Sequence, residues 1–266
     1  MLRWVITTPV TGSNHPSVVD YVHAEQYTLS IRVSADGFCF AAHHPERADE
    51  FAYMPYEVDP LLPVVANLKQ AKETLPMLQH TYGAVQMLLA DAPCQAVPEE
   101  YADVPSAGEQ IVRLPEYGLA LRFQADAALM RWADEAFPNL HVFPGLFPVL
   151  RFALQWESVT LCHLHGRRMD VICVRDGRLL FVNTFDSDTA ANALYFLLGA
   201  WQTLGLSQHD DVLTIVGRSS CRRELAAKAS RFIRHVVEPS PAELFHASEL
   251  ARLAAVPFDV QTLVNG

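Results

Sequence analysis

Between residues 158 and 217 the apolar positions fall in three short runs, 159–164, 169–174 and 179–184. The polar turns His165-Gly166-Arg167-Arg168 and Arg175-Asp176-Gly177-Arg178 separate them. Asp-Gly between two apolar runs predicts a hairpin, because glycine accepts a positive φ without a Cβ clash. A long apolar helix is predicted over 189–204 and a buried strand over 212–216. In the helix Leu194, Leu197, Trp201 and Leu204 form a stripe that Tyr195, Phe196 and Leu198 widen, which predicts burial around much of its circumference. Asp188 is the expected N-cap and Gly205 the expected residue just past the C-terminus. Three helices close the chain, over 221–236, 241–253 and 257–264.

The first half carries a fainter copy of the same order. Leu29, Ile31 and Val33 alternate along a strand over 27–34. Ala35-Asp36-Gly37 turns it into a second strand over 38–43, and 50–54 supplies a third. A helix over 60–75 follows, with Pro60 in its first turn, and then a buried strand over 82–89. Residues 92–115 hold Pro93, Pro98, Pro105, Gly108 and Pro115, which predicts loops and one short helix. Beyond them come a strand over 117–123, a helix over 125–137 that ends at Pro138, a strand over 141–143 and a helix over 146–156. Residues 1–26 read as an extended arm. The repeated order places one lobe at 27–157 and a second at 158–266.

A duplicated βββαβα order resembles the actin-like ATPase (ribonuclease H-like) fold of actin, Hsp70 and the sugar kinases. The chain also resembles, more narrowly, a bacterial family of unknown function with that two-lobed α/β fold. The resemblance is carried by Leu29-Ser30-Ile31-Arg32-Val33-Ser34-Ala35-Asp36-Gly37-Phe38, Asn183-Thr184-Phe185, Ala193-Leu194-Tyr195-Phe196-Leu197-Leu198 and Leu244-Phe245-His246. Active members of the superfamily hold metal and phosphate with an acidic residue and glycines in the first hairpin. They clamp phosphate with an Asp and a glycine-rich turn in the second, and set paired glycines against the base. Here the corresponding residues are Arg32, then Gly166-Arg167-Arg168, then Gly217-Arg218. Bulky side chains obstruct the close backbone approach that a glycine turn allows. Three departures together imply a pseudo-ATPase.

Length, at 266 residues, suits two lobes, and 50% hydrophobic against 19% charged residues suits large packed cores. A net charge of −10 argues against nucleic acid and against anionic membranes as partners. No apolar run reaches the roughly 18 residues of a spanning helix, and the first residues lack the apolar length of a signal peptide. Five scattered cysteines without a CxxC pair read as reduced thiols of a cytoplasmic protein.

The candidate chemistry is sparse. His163 and His165 alternate on one strand and share a face, with Cys162 on the other. No fourth ligand stands at zinc-site spacing, so no metal is expected there, nor at His43-His44. Asp36 and Asp176 belong to turns and Asp188 to a cap. Asp170 opens a strand opposite Arg167 and Arg168, and a local ion pair accounts for it. Neither a nucleophile elbow nor a phosphate-binding P-loop occurs. Arg218, Arg222, Arg223, Lys228, Arg231 and Arg234 stand out in an acidic chain, with Arg223, Arg231 and Arg234 on one predicted helix stripe. That stripe is either a solvated face or a docking patch for an acidic partner. The expected function is partner binding without catalysis or cofactor, the partner being an unidentified protein or a second copy of the chain. One alternative is a phospho-ligand or nucleotide held in the interlobe cleft by Arg167, Arg168 and Arg218. Another is a divergent ATPase or kinase, which the missing carboxylates and phosphate loops count against.

Overall fold

The computed structural model describes residues 19–35, 37–246 and 248–265. Most of the arm, and the turn residue Asp36, lie outside them. The described end of the arm, Tyr21–Gln26, is a 3₁₀ helix capped by the Asp20 carboxylate rather than extended chain.

Two five-stranded sheets have the same strand order. The first is built from β1 (Thr28–Ser34), β2 (Gly37–His43), β3 (Phe51–Tyr56), β4 (Ala84–Leu89) and β8 (Leu140–Pro144), in the order β3-β2-β1-β4-β8. Between them run α1 (Val64–Thr74), β5 (Cys94–Pro98), β6 (Glu109–Leu114), β7 (Leu119–Gln124) and α2 (Ala127–Ala136). After α3 (Leu146–Leu154) come β9 (Val159–His165), β10 (Arg168–Arg175), β11 (Arg178–Asp186), α4 (Ala190–Thr203), β12 (Val212–Arg218), α5 (Arg222–Ala229) and β13 (His235–Val237). The second sheet runs β11-β10-β9-β12-β13. In each, three antiparallel strands precede two parallel ones. The chain ends with α6 (Pro241–Leu244) and α7 (Phe258–Asn265).

The local chemistry explains most of this. Leu29, Ile31 and Val33 point into one core with Phe40, Leu68 and Met87, which leaves Ser30, Arg32 and Ser34 on the opposite face of β1. Asp176 and Gly177 both take positive φ, 53° and 68°, the conformation of a type I′ hairpin turn. Helix α4 starts from Thr189, whose hydroxyl accepts from the Asn192 amide, so Thr189 and not Asp188 is the cap. Its buried stripe is Ala190, Ala193, Leu197, Ala200 and Trp201, while Tyr195 stands in solvent.

Elsewhere long-range pairing overrides local pattern. The helix predicted over 221–236 stops at Ala229, because residues 235–237 pair in parallel with Val212, Leu213 and Thr214 and complete the sheet edge. Arg231 and Arg234 therefore sit beyond the helix and share no helical stripe with Arg223. The helix predicted over 241–253 is only a single turn, α6, and a separate 3₁₀ turn at Leu250–Arg252. The proline-rich stretch contains two strands, β5 and β6, which flank β7 in a three-stranded sheet. Pro98 ends β5 and Pro115 follows β6, so neither removes an interior ladder bond.

Helices α3 and α7 pack on each other between the sheets. Every residue of α3 except Arg151 is buried, against Leu161, Ile172, Val174 and Val216 of the second sheet. Helix α7 reaches back to the first: Val260 joins Cys39, Ala41, Phe51 and Tyr53. Among the described residues no helix is long and apolar enough to cross a membrane.

Two outcomes follow from this packing. Leu197→Ala empties a fully buried position and is expected to cost about 2–5 kcal/mol in urea unfolding; a loss below about 0.5 kcal/mol would place the stripe in water. His43, at the end of β2, is buried with Nδ1 unpartnered among the described residues. Burial, and secondarily His44, lowers its pKa from 6.5 to about 4. The unfolded chain then binds the proton more readily, so stability is full above pH 6.5 and falls as the pH drops towards 4. Relative to His43→Leu, the wild type is expected to lose an amount approaching 3 kcal/mol, roughly, across that window. A pH-independent difference between the two would contradict it.

Candidate functional site

The polar face of β1 turns Arg32 towards the helical layer. Its Nε lies 2.7 and 3.0 Å from the two carboxylate oxygens of Asp259, in the first turn of α7. The side chains are 11% and 1% exposed. Burial alone would strip Arg32 of its proton more easily, but the Asp259 charge and hydrogen bond raise its pKa. The charge of Arg32 is thus met inside the protein.

The neighbouring loop is pinned as well. The carbonyl of Ala255, just before α7, accepts from Arg218 Nη1 at 2.7 Å and from the Tyr53 hydroxyl at 3.1 Å. Arg168 Nη1 donates to the Asp91 carbonyl at 2.7 Å, and the Asp91 carboxylate accepts from the Ala35 amide at 2.7 Å. Of the three candidate anion-binding arginines, two are therefore engaged with backbone oxygens. Arg167 is largely exposed and touches Asp188 at 3.4 Å. Arg223, Arg231 and Arg234 are all exposed, on α5 and on the chain after it.

The second sheet supplies a buried polar cluster. Register places Thr184, Asp170 and His163 in one row across β11, β10 and β9. Asp170 Oδ1 accepts from the Thr184 hydroxyl at 2.7 Å, and Oδ2 lies 2.9 Å from His163 Nδ1. His165, two residues along the same face, stacks on His163 with ring centroids 4.8 Å apart, and its Nε2 is 3.1 Å from the same Oδ2. The last contact is an ion pair without the alignment of a hydrogen bond, and Nε2 has no hydrogen-bond partner among the described residues. Asp170 does not pair with Arg167 or Arg168, as its position at the hairpin suggests; Arg168 reaches Asp186 instead.

Burial pushes the His163 pKa down and keeps that ring neutral. For His165 burial acts the same way, but the Asp170 charge and contact, with Asp259 farther off, raise its pKa. Burial of Asp170 favours its neutral form; the two imidazoles overcome this and hold it far below the usual carboxylate range. Cys94 lies close enough that burial, with Asp170, pushes its thiol up to about 12.

Gly217 makes room for the cluster. It has φ +88°, and a Cβ there would come within 2.7 Å of His163 Cδ2 and still closer to the Leu164 carbonyl oxygen. Arg222 braces the same strand end through the Gly217 and Ile215 carbonyls. Gly217 thus serves a close contact with His163.

Two partners escape a sequence reading. Asp259 is 227 residues from Arg32, and an acid in a helix's first turn carries no mark of a long-range role. Thr184 becomes legible only once the strand register is known. The pairing of His163 with Asp170 had a readable signal, since seven residues around a tight four-residue turn places them opposite each other.

A family match covers residues 16–111 and 105–236, and the family is described as a protein of unknown function, DUF3822. The chain belongs to that family. No curated protein matches it. A solved structure from Bacteroides thetaiotaomicron VPI-5482, a protein with actin-like ATPase fold and unknown function, is similar with a TM-score of 0.78 at 23% identity. The match covers 93% of this chain and 99% of that one. A chain of the PilM-PilN type IV pilus biogenesis complex is similar with a TM-score of 0.56 at 12% identity, over 90% of this chain and 94% of that one. The fold is the actin-like ATPase fold.

The Arg32–Asp259 pair is testable by a double-mutant cycle. Asp259→Leu leaves a buried guanidinium without its counter-charge and is expected to cost about 3–5 kcal/mol in urea unfolding. Arg32→Met combined with Asp259→Leu is expected to recover most of that loss. Additive single-variant costs would show that the two side chains do not act as a pair.

Proposed function

We propose that this chain is a pseudo-ATPase of the actin-like fold that works by binding a protein partner, without catalysis. The observation that carries this reading is the Arg32–Asp259 pair. A cation, already neutralised by the protein, occupies the position from which active members are expected to hold metal and phosphate. Metal-dependent phosphoryl transfer needs carboxylates and phosphate-positioning loops free to act. Here Arg168 and Arg218 donate to backbone carbonyls, and Gly217 is closed over by His163. Those same contacts weigh against a phosphate held by Arg167, Arg168 and Arg218 together.

In this reading residues 27–157 and 158–266 are two lobes tied by the crossing of α3 and α7. Arg223, Arg231 and Arg234 offer exposed positive charge to an acidic partner. The similarity to a chain solved in the PilM-PilN complex supports a fold that serves in assemblies. Five free cysteines, four of them buried, suit a cytoplasmic setting.

Calorimetry with ATP, with and without Mg²⁺, tests the proposal. The expected result is no Mg²⁺-dependent affinity tighter than millimolar and no hydrolysis above background. Micromolar binding that strengthens with Mg²⁺ would overturn it.

A further inference from the structure

We infer that His163, His165 and Asp170 form a site for one transition-metal dication of the Zn²⁺ type. Two imidazole nitrogens and one carboxylate oxygen, all buried, lie within 4.8 Å of one another. They come from one hairpin, His163 and His165 on β9 and Asp170 on β10, so the backbone ladder fixes their spacing.

The donor set selects the ion. Mg²⁺ and Ca²⁺ favour all-oxygen shells, whereas two imidazoles with one carboxylate suit Zn²⁺, Co²⁺ or Fe²⁺. Oδ2 is 2.9 Å from His163 Nδ1 and 3.1 Å from His165 Nε2. Tetrahedral ligands at bond lengths of about 2.0–2.1 Å stand roughly 3.3 Å apart. The two carboxylate–imidazole spacings are already within a few tenths of an ångström, roughly, of that value, whereas the stacked rings, whose donor nitrogens lie within 4.8 Å of each other, have to turn towards a shared point to complete three legs of a tetrahedron and leave the fourth for water.

Two further features point to an ion. His165 Nε2 is buried without a hydrogen bond among the described residues, although it faces the other two donors. In the ion pair Nε2 carries a proton towards Oδ2 without hydrogen-bond alignment; a dication would replace that proton and take the nitrogen's lone pair. Thr184 holds Asp170 by Oδ1, which orients Oδ2 towards the imidazoles; outer-shell bonds of this kind are how carboxylate ligands are aimed. The site differs in its ligands and its metal class from the nucleotide-associated metal of active relatives, so it is independent of the partner-binding proposal.

Tag-free wild-type protein, stripped with a chelator, is dialysed against Zn²⁺, Co²⁺ or Mg²⁺ alone and the bound metal measured by elemental analysis. The expected result is one equivalent of Zn²⁺ held at micromolar or tighter Kd, a visible ligand-field band with Co²⁺, and no stoichiometric Mg²⁺. His165→Gln and Asp170→Asn are each expected to weaken Zn²⁺ at least 100-fold, roughly, and Thr184→Val about 10-fold. Absence of stoichiometric Zn²⁺ and Co²⁺ in the wild type overturns the inference without reference to any variant. Stoichiometric Zn²⁺ that His165→Gln, shown folded by circular dichroism, retains at unchanged affinity overturns it too.

Discussion

A guanidinium placed on a central strand must be neutralised or expelled, and Arg32 is neutralised by Asp259. Neither charge can be buried alone, since an isolated buried ion costs several kilocalories per mole even after relaxation. The pair therefore couples the first strand of the fold to its last helix. Helix α7 must dock with its first turn over β1, the preceding Ala255 carbonyl must meet Arg218 and Tyr53, and α3 must lie alongside. Sheet, loop and helix meet at one junction.

The second sheet buries its polar groups by other means. Its first hairpin carries His163, His165 and Asp170 on one face, with Gly166 and Arg167 in the turn. Asp170 then gathers both imidazoles and the Thr184 hydroxyl, and Gly217 permits the close strand approach. Two structural repeats with the same strand order thus carry unlike polar inserts: a permanent ion pair in one, a histidine–carboxylate cluster in the other. Both lie on faces turned towards the helical layer, where Asp259 lies near enough to act on His163 and His165 as well as on Arg32.

The repeat was readable because its signals are local. Apolar runs of strand length, an Asp-Gly turn and a glycine-terminated helix each act within a few residues, and all appear as expected in β9–β11 and α4. What escaped depends on pairing at a distance. β5 and β6 look like loops until β7 supplies their ladder. Helix α5 ends early because β12 has an open edge, although Phe232, Ile233 and Val236 continue an acceptable helical pattern. In the site, Arg32 was visible but Asp259 was not, and His163, His165 and Asp170 were visible without the contacts that join them. Register and docking, not residue type, supply those contacts.

A crystal structure obtained after soaking with an unhydrolysable ATP analogue and Mg²⁺ tests the central claim most directly. The account predicts Arg32 still bonded to Asp259, Arg218 still on the Ala255 carbonyl, and no ordered triphosphate between the two hairpins. A triphosphate with Mg²⁺ seated there, with Arg32 released from Asp259, would contradict it.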